Sequence, residues 1–277
     1  MNSARLLVLS RADVEPLIGL KEAIPVVEKA FSDLASERAL LFPVIRERIS
    51  PHGGFFGVKA AHLVSEGYLG YKGGGFWKNN RARGIEAHQS VIVLYDPATG
   101  VPTAVIDGNY LTVVRTGAVG AIAAKHLARP NSRAAAVIGC GVQGRIQLDA
   151  LRQVLTIEEV RCCGWTSEST QTFAAHCSKI GLPVIPCSKA ETAVRGADII
   201  VTSTPSFKPI VKDGWVSPGT HINAIGSDTE GKQEIDQRIL GRSKVIVDSW
   251  AQAKRLGESQ HAVRDGLITS AHAELGE

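Results

Sequence analysis

The chain has 277 residues, 44% of them hydrophobic and 21% charged, with 31 Lys+Arg against 27 Asp+Glu, a net charge of +4 and a pI near 8.8. This composition excludes a disordered chain and, at roughly 150 residues per domain, predicts about two domains with ample core. The basic residues are scattered among acids, and no block of five like charges occurs, which sets nucleic acid aside as a partner. The longest weakly polar stretch, 116–124, runs into Lys125 and His126 and falls short of the ~18 apolar residues of a membrane span. The apolar run 6–9 is too short for the core of a signal peptide, so a cytoplasmic protein without membrane contact is expected. Cys140, Cys162, Cys163, Cys177 and Cys187 form neither a CxxC pair nor an even secreted framework. Buried thiols are expected, and no metal.

In chain order, a helix is predicted over 20–38, with Ile24, Val27, Phe31 and Leu34 on one face. Strands rich in β-branched and aromatic residues are predicted over 42–49, 55–63 and 90–95. The turn Asp96-Pro97-Ala98-Thr99-Gly100 leads to a strand over 103–106, and the run Gly73-Gly74-Gly75 reads as a loop. An alanine-rich helix over 109–128 is closed by Pro130. Beyond it, strand-like runs at 135–138, 159–163, 183–185, 198–202, 221–225 and 245–247 alternate with helical or loop segments. That alternation predicts an α/β fold, a doubly wound parallel sheet over 116–277 preceded by an α+β domain over 1–115. There is no internal repeat and no low-complexity tract.

The segment Ala135-Ala136-Val137-Ile138-Gly139-Cys140-Gly141-Val142-Gln143-Gly144 is an apolar strand entering GxGxxG, with an amphipathic helix over 145–154 after it. Gly139 permits the tight turn, Gly141 lets the backbone approach a pyrophosphate, and Gly144 allows close helix–strand packing. The helix N-terminus supplies free N–H groups. In this context the motif predicts a Rossmann-type dinucleotide site. The second strand of an NAD site usually ends in an acid that holds the ribose hydroxyls. Here Gly164-Trp165-Thr166-Ser167 offers none, only a small residue and two hydroxyls able to donate to a 2′-phosphate. NADPH is the expected cofactor, with NADH left open by the absence of a neighbouring arginine and by nearby Glu168.

Four segments carry charge where an apolar pattern does not ask for it, at Arg46, Lys72, Arg115 and Asp228. Each has an ordinary reading: Arg46 as an exposed strand residue, Lys72 as a loop lysine, Arg115 as a helix brace and Asp228 as an Asx turn with Gly226. Together, three cations would bind a carboxylate. An acid beyond the carboxyl end of the strand 221–226 could exchange a proton with a nitrogen near a nicotinamide. An amino or imino acid satisfies both requirements.

Val114-Arg115-Thr116-Gly117-Ala118, Val137-Ile138-Gly139-Cys140-Gly141-Val142-Gln143 and His221-Ile222-Asn223-Ala224-Ile225-Gly226 with Gly231-Lys232-Gln233-Glu234 resemble the ornithine cyclodeaminase/mu-crystallin family over nearly the whole chain. The resemblance implies a two-domain homodimer whose N-terminal domain holds a small imino or amino acid and forms the dimer contact. It also implies that Arg46, Lys72 and Arg115 bind the substrate carboxylate, that Lys59 is a further substrate-binding residue, and that Lys72 and Asp228 are catalytic, Asp228 as the proton donor or acceptor. By the same resemblance Arg115, Thr116, Val142, Gln143, Thr204, Ala224, Ile225, Gly226 and Lys232 line the cofactor, beside Gly139, Gly141, Gly144, Gly164, Trp165 and Thr166.

The chain departs from the cyclodeaminase pattern in two places. Ornithine cyclodeaminases carry an acid in the strand before Lys72 to hold the far amine; here residues 55–62 contain no acid and contribute Lys59 instead. That makes the sequence more similar to the imine reductase branch. Family members also usually continue beyond the segment matched by 271–277 and return to the substrate domain, and the expectation is a chain without that return. The reading that follows is NAD(P)H-dependent reduction of a cyclic imino acid, Δ1-pyrroline-2-carboxylate to L-proline first and Δ1-piperideine-2-carboxylate next. The rivals are ornithine cyclodeamination on bound NAD+, an alanine-type reductive amination, and a non-catalytic NADP-binding protein of the mu-crystallin type.

Overall fold

A computed structural model describes residues 5–277, which form two compact units dividing between Arg115 and Thr116. Among the described residues no helix is long and apolar enough to cross a membrane.

The first unit is built on a seven-stranded sheet. Its strands are β1 (Leu7–Leu9), β2 (Ala39–Leu41), β3 (Ile45–Ile49), β4 (Gly54–Leu63), β5 (Tyr68–Trp77), β6 (His88–Tyr95) and β7 (Pro102–Asp107), in the order β1-β7-β6-β5-β4-β2, with β3 also on β4. All pairs are antiparallel except β1 with β7. Helices α1 (Arg11–Val14) and α2 (Leu20–Ala35) precede most of it. The predicted helix over 20–38 stops at Ala35 because Glu37 takes a left-handed φ of 58°. The strand expected over 42–49 begins only at Ile45, as β3, and a separate short strand, β2, precedes it at 39–41; the two pair with successive stretches of β4. Between them lies Pro43, which has no N–H to give a ladder.

The glycine run expected as a loop is instead the centre of β5. A Cβ on Gly75 would stand 1.7 Å from the Phe55 carbonyl oxygen, and one on Gly74 would stand 2.2 Å from that of Gln89. These glycines bring three backbones together, so they build the sheet rather than interrupt it.

The second unit begins within helix α3 (Gly108–Leu127), whose first turn is capped by the Asp107 carboxylate accepting from the N–H groups of Asn109 and Tyr110. Its main sheet is parallel and holds β8 (Ala134–Ile138), β9 (Glu159–Cys163), β10 (Val184–Pro186), β11 (Ile199–Thr202) and, after a short strand β12 (Phe207–Val211), β13 (His221–Ala224). The order is β10-β9-β8-β11-β13, that is 3-2-1-4-5, the doubly wound arrangement. Helices α4 (Val142–Leu151), α5 (Ser167–Lys179) and α6 (Ala190–Val194) connect it.

Alternation along the strands feeds two cores. Val137, Val160, Ile199 and Val201 pack with Leu148, Leu151 and Phe173, whereas Ala136, Ile138 and Ile200 pack with Val194, Val211 and Ile239. The expected sixth strand lies outside this sheet. β14 (Gln233–Ile235) pairs with β12; α7 (Gln237–Gly241) follows, and β15 (Ile246–Val247) pairs with β16 (Ala273–Glu274) beyond α8 (Trp250–Leu256) and α9 (Gln260–Arg264). At two residues, β15 is too short for its pattern to reveal a partner so distant in the chain. All five cysteines are free thiols; Cys140, Cys162, Cys177 and Cys187 are buried and Cys163 half-buried.

Candidate functional site

In the first unit, strand register collects the cations. Lys59 on β4 pairs with Lys72 on β5, which pairs with Ile92 on β6, so the three share one face of the sheet. Arg46 on β3 lies opposite Gly57, two residues from Lys59, and therefore joins the same face. Its guanidinium stands 5.6 Å from the centre of the Phe55 ring, and that of Arg48 stands 5.3 Å from the same centre.

Lys72 is thus a strand residue, not a loop lysine. Its Nζ donates to Thr112 Oγ1 at 3.2 Å, and Thr112 donates on to the Gly108 carbonyl. Both residues line a cavity of about 330 Å³ with Arg115, against a wall of Ile18, Val27, Ile92 and Leu111. Among the described residues, no acid lines this cavity. Burial first, then Arg115 and Lys59, push the Lys72 ammonium down to about 8. On the same strand face, His88 is likewise lowered, by burial and then by Lys72.

The second unit presents its loops beyond the carboxyl ends of β8, β9, β11 and β13, where doubly wound sheets bind ligands. Gly139 takes φ 104° and has the Ser203 carbonyl oxygen 2.7 Å from where a Cβ would be. Gly144 has the Gly139 carbonyl oxygen at 2.1 Å from such a Cβ, which fixes the tight entry to α4. Gly141, which caps α4, faces open space. Next to it, Gln143 Oε1 is buried without a hydrogen-bond partner. Trp165 on the loop after β9, and Val142 and Phe207 where α4 and β12 begin, are exposed apolar side chains, Trp165 to 98%.

An open glycine at a helix N-terminus, an orphaned buried amide and an uncovered indole fit a dinucleotide. Gly164 leaves no room for a side chain beside Ser169, and Thr166 caps α5, accepting from Ser169 N at 3.1 Å while keeping its own hydroxyl proton. Thr116 is engaged through its carbonyl, which accepts from Gln147 Nε2.

At the ends of β11 and β13, Ala224 pairs with Thr202, and Ile225 N donates to the Thr202 carbonyl. Asp228 is exposed and ion-paired to Lys232 Nζ at 2.6 Å; the same ammonium reaches the Gly226 carbonyl at 3.3 Å. Thr204 donates to Glu234 through both its N–H and its hydroxyl.

Glu234 is fully buried. Burial drives its carboxyl up to about 7, against the bonds from Thr204, with neighbouring Glu258 adding repulsion. Sequence reasoning assigned no role to Thr112, His88, Arg48, Glu234 or Glu258. Only Glu234 left a signal there, an acid followed by Ile235 inside a motif already singled out.

The fold and site define a protein of the dinucleotide-binding class with a sheet face that gathers cations, and comparison with known proteins places it further. The chain belongs to the ornithine cyclodeaminase/mu-crystallin family, whose model matches residues 5–277. It is 42% identical over 273 residues to the alanine dehydrogenase of Archaeoglobus fulgidus, covering 98% of this chain and 83% of that protein. An archaeal alanine dehydrogenase dimer with bound NAD superposes with a TM-score of 0.93 at 41% identity, over 98% of this chain and 84% of that one. The Δ1-pyrroline-2-carboxylate reductase of Thermococcus litoralis, solved with NADH and L-proline, superposes with a TM-score of 0.94 at 34% identity, over 98% and 85%.

Proposed function

We propose that the protein is an NAD(P)H-dependent reductase of a small cyclic imino acid, with Δ1-pyrroline-2-carboxylate the leading substrate, Δ1-piperideine-2-carboxylate the next, and L-proline or its six-membered homologue the product. The observation that carries this reading is the cavity at Lys72, Thr112 and Arg115, lined by two cations and otherwise mostly by apolar side chains, with no acid among the described residues. A carboxylate on a compact hydrocarbon ring suits such a lining. An ornithine δ-ammonium does not, because it would be desolvated beside Lys72 and Arg115 with no acid to pair it.

In this reading Arg46, Lys72 and Arg115 hold the carboxylate, Arg46 and Arg115 as forks and Lys72 as a point charge, with Lys59 adding to the positive field. Fixing the carboxylate orients the C=N bond and restricts the ring to a productive pose. Gly139, Gly141, Val142, Gln143 and Gly144 hold the pyrophosphate side of the cofactor. Gly164, Trp165 and Thr166 take its adenosine, and Thr116, Thr204, Ala224, Ile225, Gly226 and Lys232 its nicotinamide side. The reduced nicotinamide, when bound, supplies the hydride. Asp228, protonated from the solvent to which it is exposed, delivers that proton to the imine nitrogen and returns to the carboxylate that Lys232 holds at 2.6 Å between turnovers.

The hydroxyls of Thr166 and Ser167, with no acid at the strand end, favour NADPH; the NAD and NADH named for the related structures keep NADH in the comparison. The first unit would serve substrate binding and dimerisation, in a cytoplasmic homodimer.

The test is oxidation of NADPH and of NADH by the purified chain with freshly generated pyrroline-2-carboxylate. Turnover, and its loss when the carboxylate is esterified, is expected; equal rates with acid and ester would overturn the assignment. A second reading is supported by the 42% identity to an alanine dehydrogenase. It is selected if pyruvate is reduced only when ammonium is present. Ammonia release from ornithine without net NADH formation would select cyclodeamination instead.

A further inference from the structure

Glu234 lies on β14 with no exposed surface, yet its two oxygens collect four donors from the ends of two other strands. Oε1 accepts from Thr204 N at 2.5 Å and from the Thr204 hydroxyl at 2.8 Å. Oε2 accepts from Gly226 N at 2.7 Å and from the Thr202 hydroxyl at 2.9 Å. A single carboxylate thus bridges the loop leaving β11 and the loop leaving β13. The fit is tight, since a Cβ on Gly226 would come within 2.6 Å of this carboxylate and 2.3 Å of the Thr204 carbonyl oxygen.

A second acid extends the clamp by one residue. Glu258 accepts from the Ser227 hydroxyl and from the backbone N–H groups of Glu234 and Ile235. Gly226 and Ser227, the two residues before Asp228, are therefore each held by a carboxylate, while Asp228 itself is held by Lys232.

We propose that Glu234 is a positioning residue for the proton-transfer step, fixing the Asp228 carboxyl through Gly226 N and tying it to Thr204 across the strand ends. The chemistry asks for an acid here, because the Thr204 and Gly226 N–H groups can only donate. Glutamine offers one accepting atom, so its amide NH2 must be turned against one of them. The proposal rests on Asp228 as the proton donor, and the variants are chosen to separate the two claims.

The test uses the full chain and its E234Q, D228N and doubly substituted variants, assayed with NADPH and pyrroline-2-carboxylate. E234Q is expected to lower kcat ten- to a hundredfold while the imino acid KM stays within threefold. In the D228N background the same substitution is expected to cost less than threefold, because a residue acting through Asp228 has nothing left to position. E234D, which restores the charge one methylene short, is expected to recover part of kcat.

Independently of turnover, amide hydrogen exchange at Gly226 and Ser227 in the ligand-free protein should quicken at least tenfold in E234Q and not in D228N. Unchanged kcat and exchange in E234Q, or equal fold-losses in both backgrounds, overturns the positioning role. Unchanged kcat in D228N overturns the proton-donor assignment and the proposal with it. If E234Q does not fold, T202V removes one donor alone: a threefold or greater fall in kcat, absent in the D228N background, supports the clamp, and an unchanged kcat overturns it.

Discussion

Lys59 on β4 and Lys72 on β5 are direct cross-strand partners, so two ammonium-bearing side chains leave the same face of the sheet side by side. Like charges in this position repel and destabilise a sheet, and the proposed carboxylate substrate would relieve that repulsion. Lys72 registers it, lowered to about 8 by burial first and then by Arg115 and Lys59.

The affinity for a carboxylate substrate should therefore fall as Lys72 deprotonates. The imino acid KM is expected to rise as pH passes 8, and in K72R the rise should disappear because a guanidinium stays charged throughout the range. Stability should respond in the opposite sense. The folded pKa lies below the unfolded value of 10.5, so the unfolded chain binds more protons between about 8 and 10.5, and folding strengthens with pH across that window. Urea denaturation of the wild type and K72M at pH 7.5 and 9.5 measures this, and a stability difference that stays flat between them contradicts it.

Removing the proposed proton donor should separate binding from chemistry. D228N is expected to keep cofactor affinity, read from nicotinamide fluorescence, while kcat falls by about 10²–10⁴-fold, the usual contribution of a general acid. A fall in affinity with kcat intact would assign Asp228 to cofactor binding instead.

Gly141 and Gly144 belong to one motif and should fail differently. Gly141 faces open space, so G141A should leave Tm unchanged and weaken NADH binding by filling the pyrophosphate approach. A Cβ added at Gly144 would stand 2.1 Å from the Gly139 carbonyl oxygen, so G144A must displace α4 and should cost about 1–3 kcal/mol of stability as well. Thermal melts alongside NADH titrations distinguish them, and equal Tm losses would refute the distinction.

Asp198, just before β11, ties the start of β8 to Arg129 near the end of α3, accepting from Arg133 N, Ala134 N and Arg129 Nη2 at 2.8–3.0 Å. Burial opposes ionisation, but the bonds from Arg133 and Ala134 hold the carboxyl below its usual range. Its stabilisation is present above the unfolded value of 3.8 and fades as pH falls through the lower folded one. D198N should cost about 1–2 kcal/mol near neutral pH and progressively less below pH 4. Denaturant melts at pH 7 and pH 3 give the comparison.

The second unit was legible because its signals are local. An apolar strand, GxGxxG and a helix follow one another within twenty residues, and β9 matches its predicted bounds at Glu159–Cys163. The family likewise followed from contiguous motifs. What the sequence hid depends on contacts distant along the chain. Gly73-Gly74-Gly75 looks like a loop until β4 and β6 close on either side. Lys59 and Lys72 are thirteen positions apart, and only the hairpin register makes them neighbours. Glu234 meets Thr202 and Thr204 across some thirty residues, a pairing that neither periodicity nor composition encodes.

The placement of the thiols turns the molecule into its own reporter. Every cysteine falls in the second unit, four of the five buried, while the first unit has none. Alkylation of the native protein at those four sites is governed by moments when the packing around them loosens, at β8, β9, α5 and the end of β10. The labelling rate, followed by mass, is thus a clock for openings of the nucleotide-binding unit alone, silent about the other half, and any ligand that closes this unit should slow it.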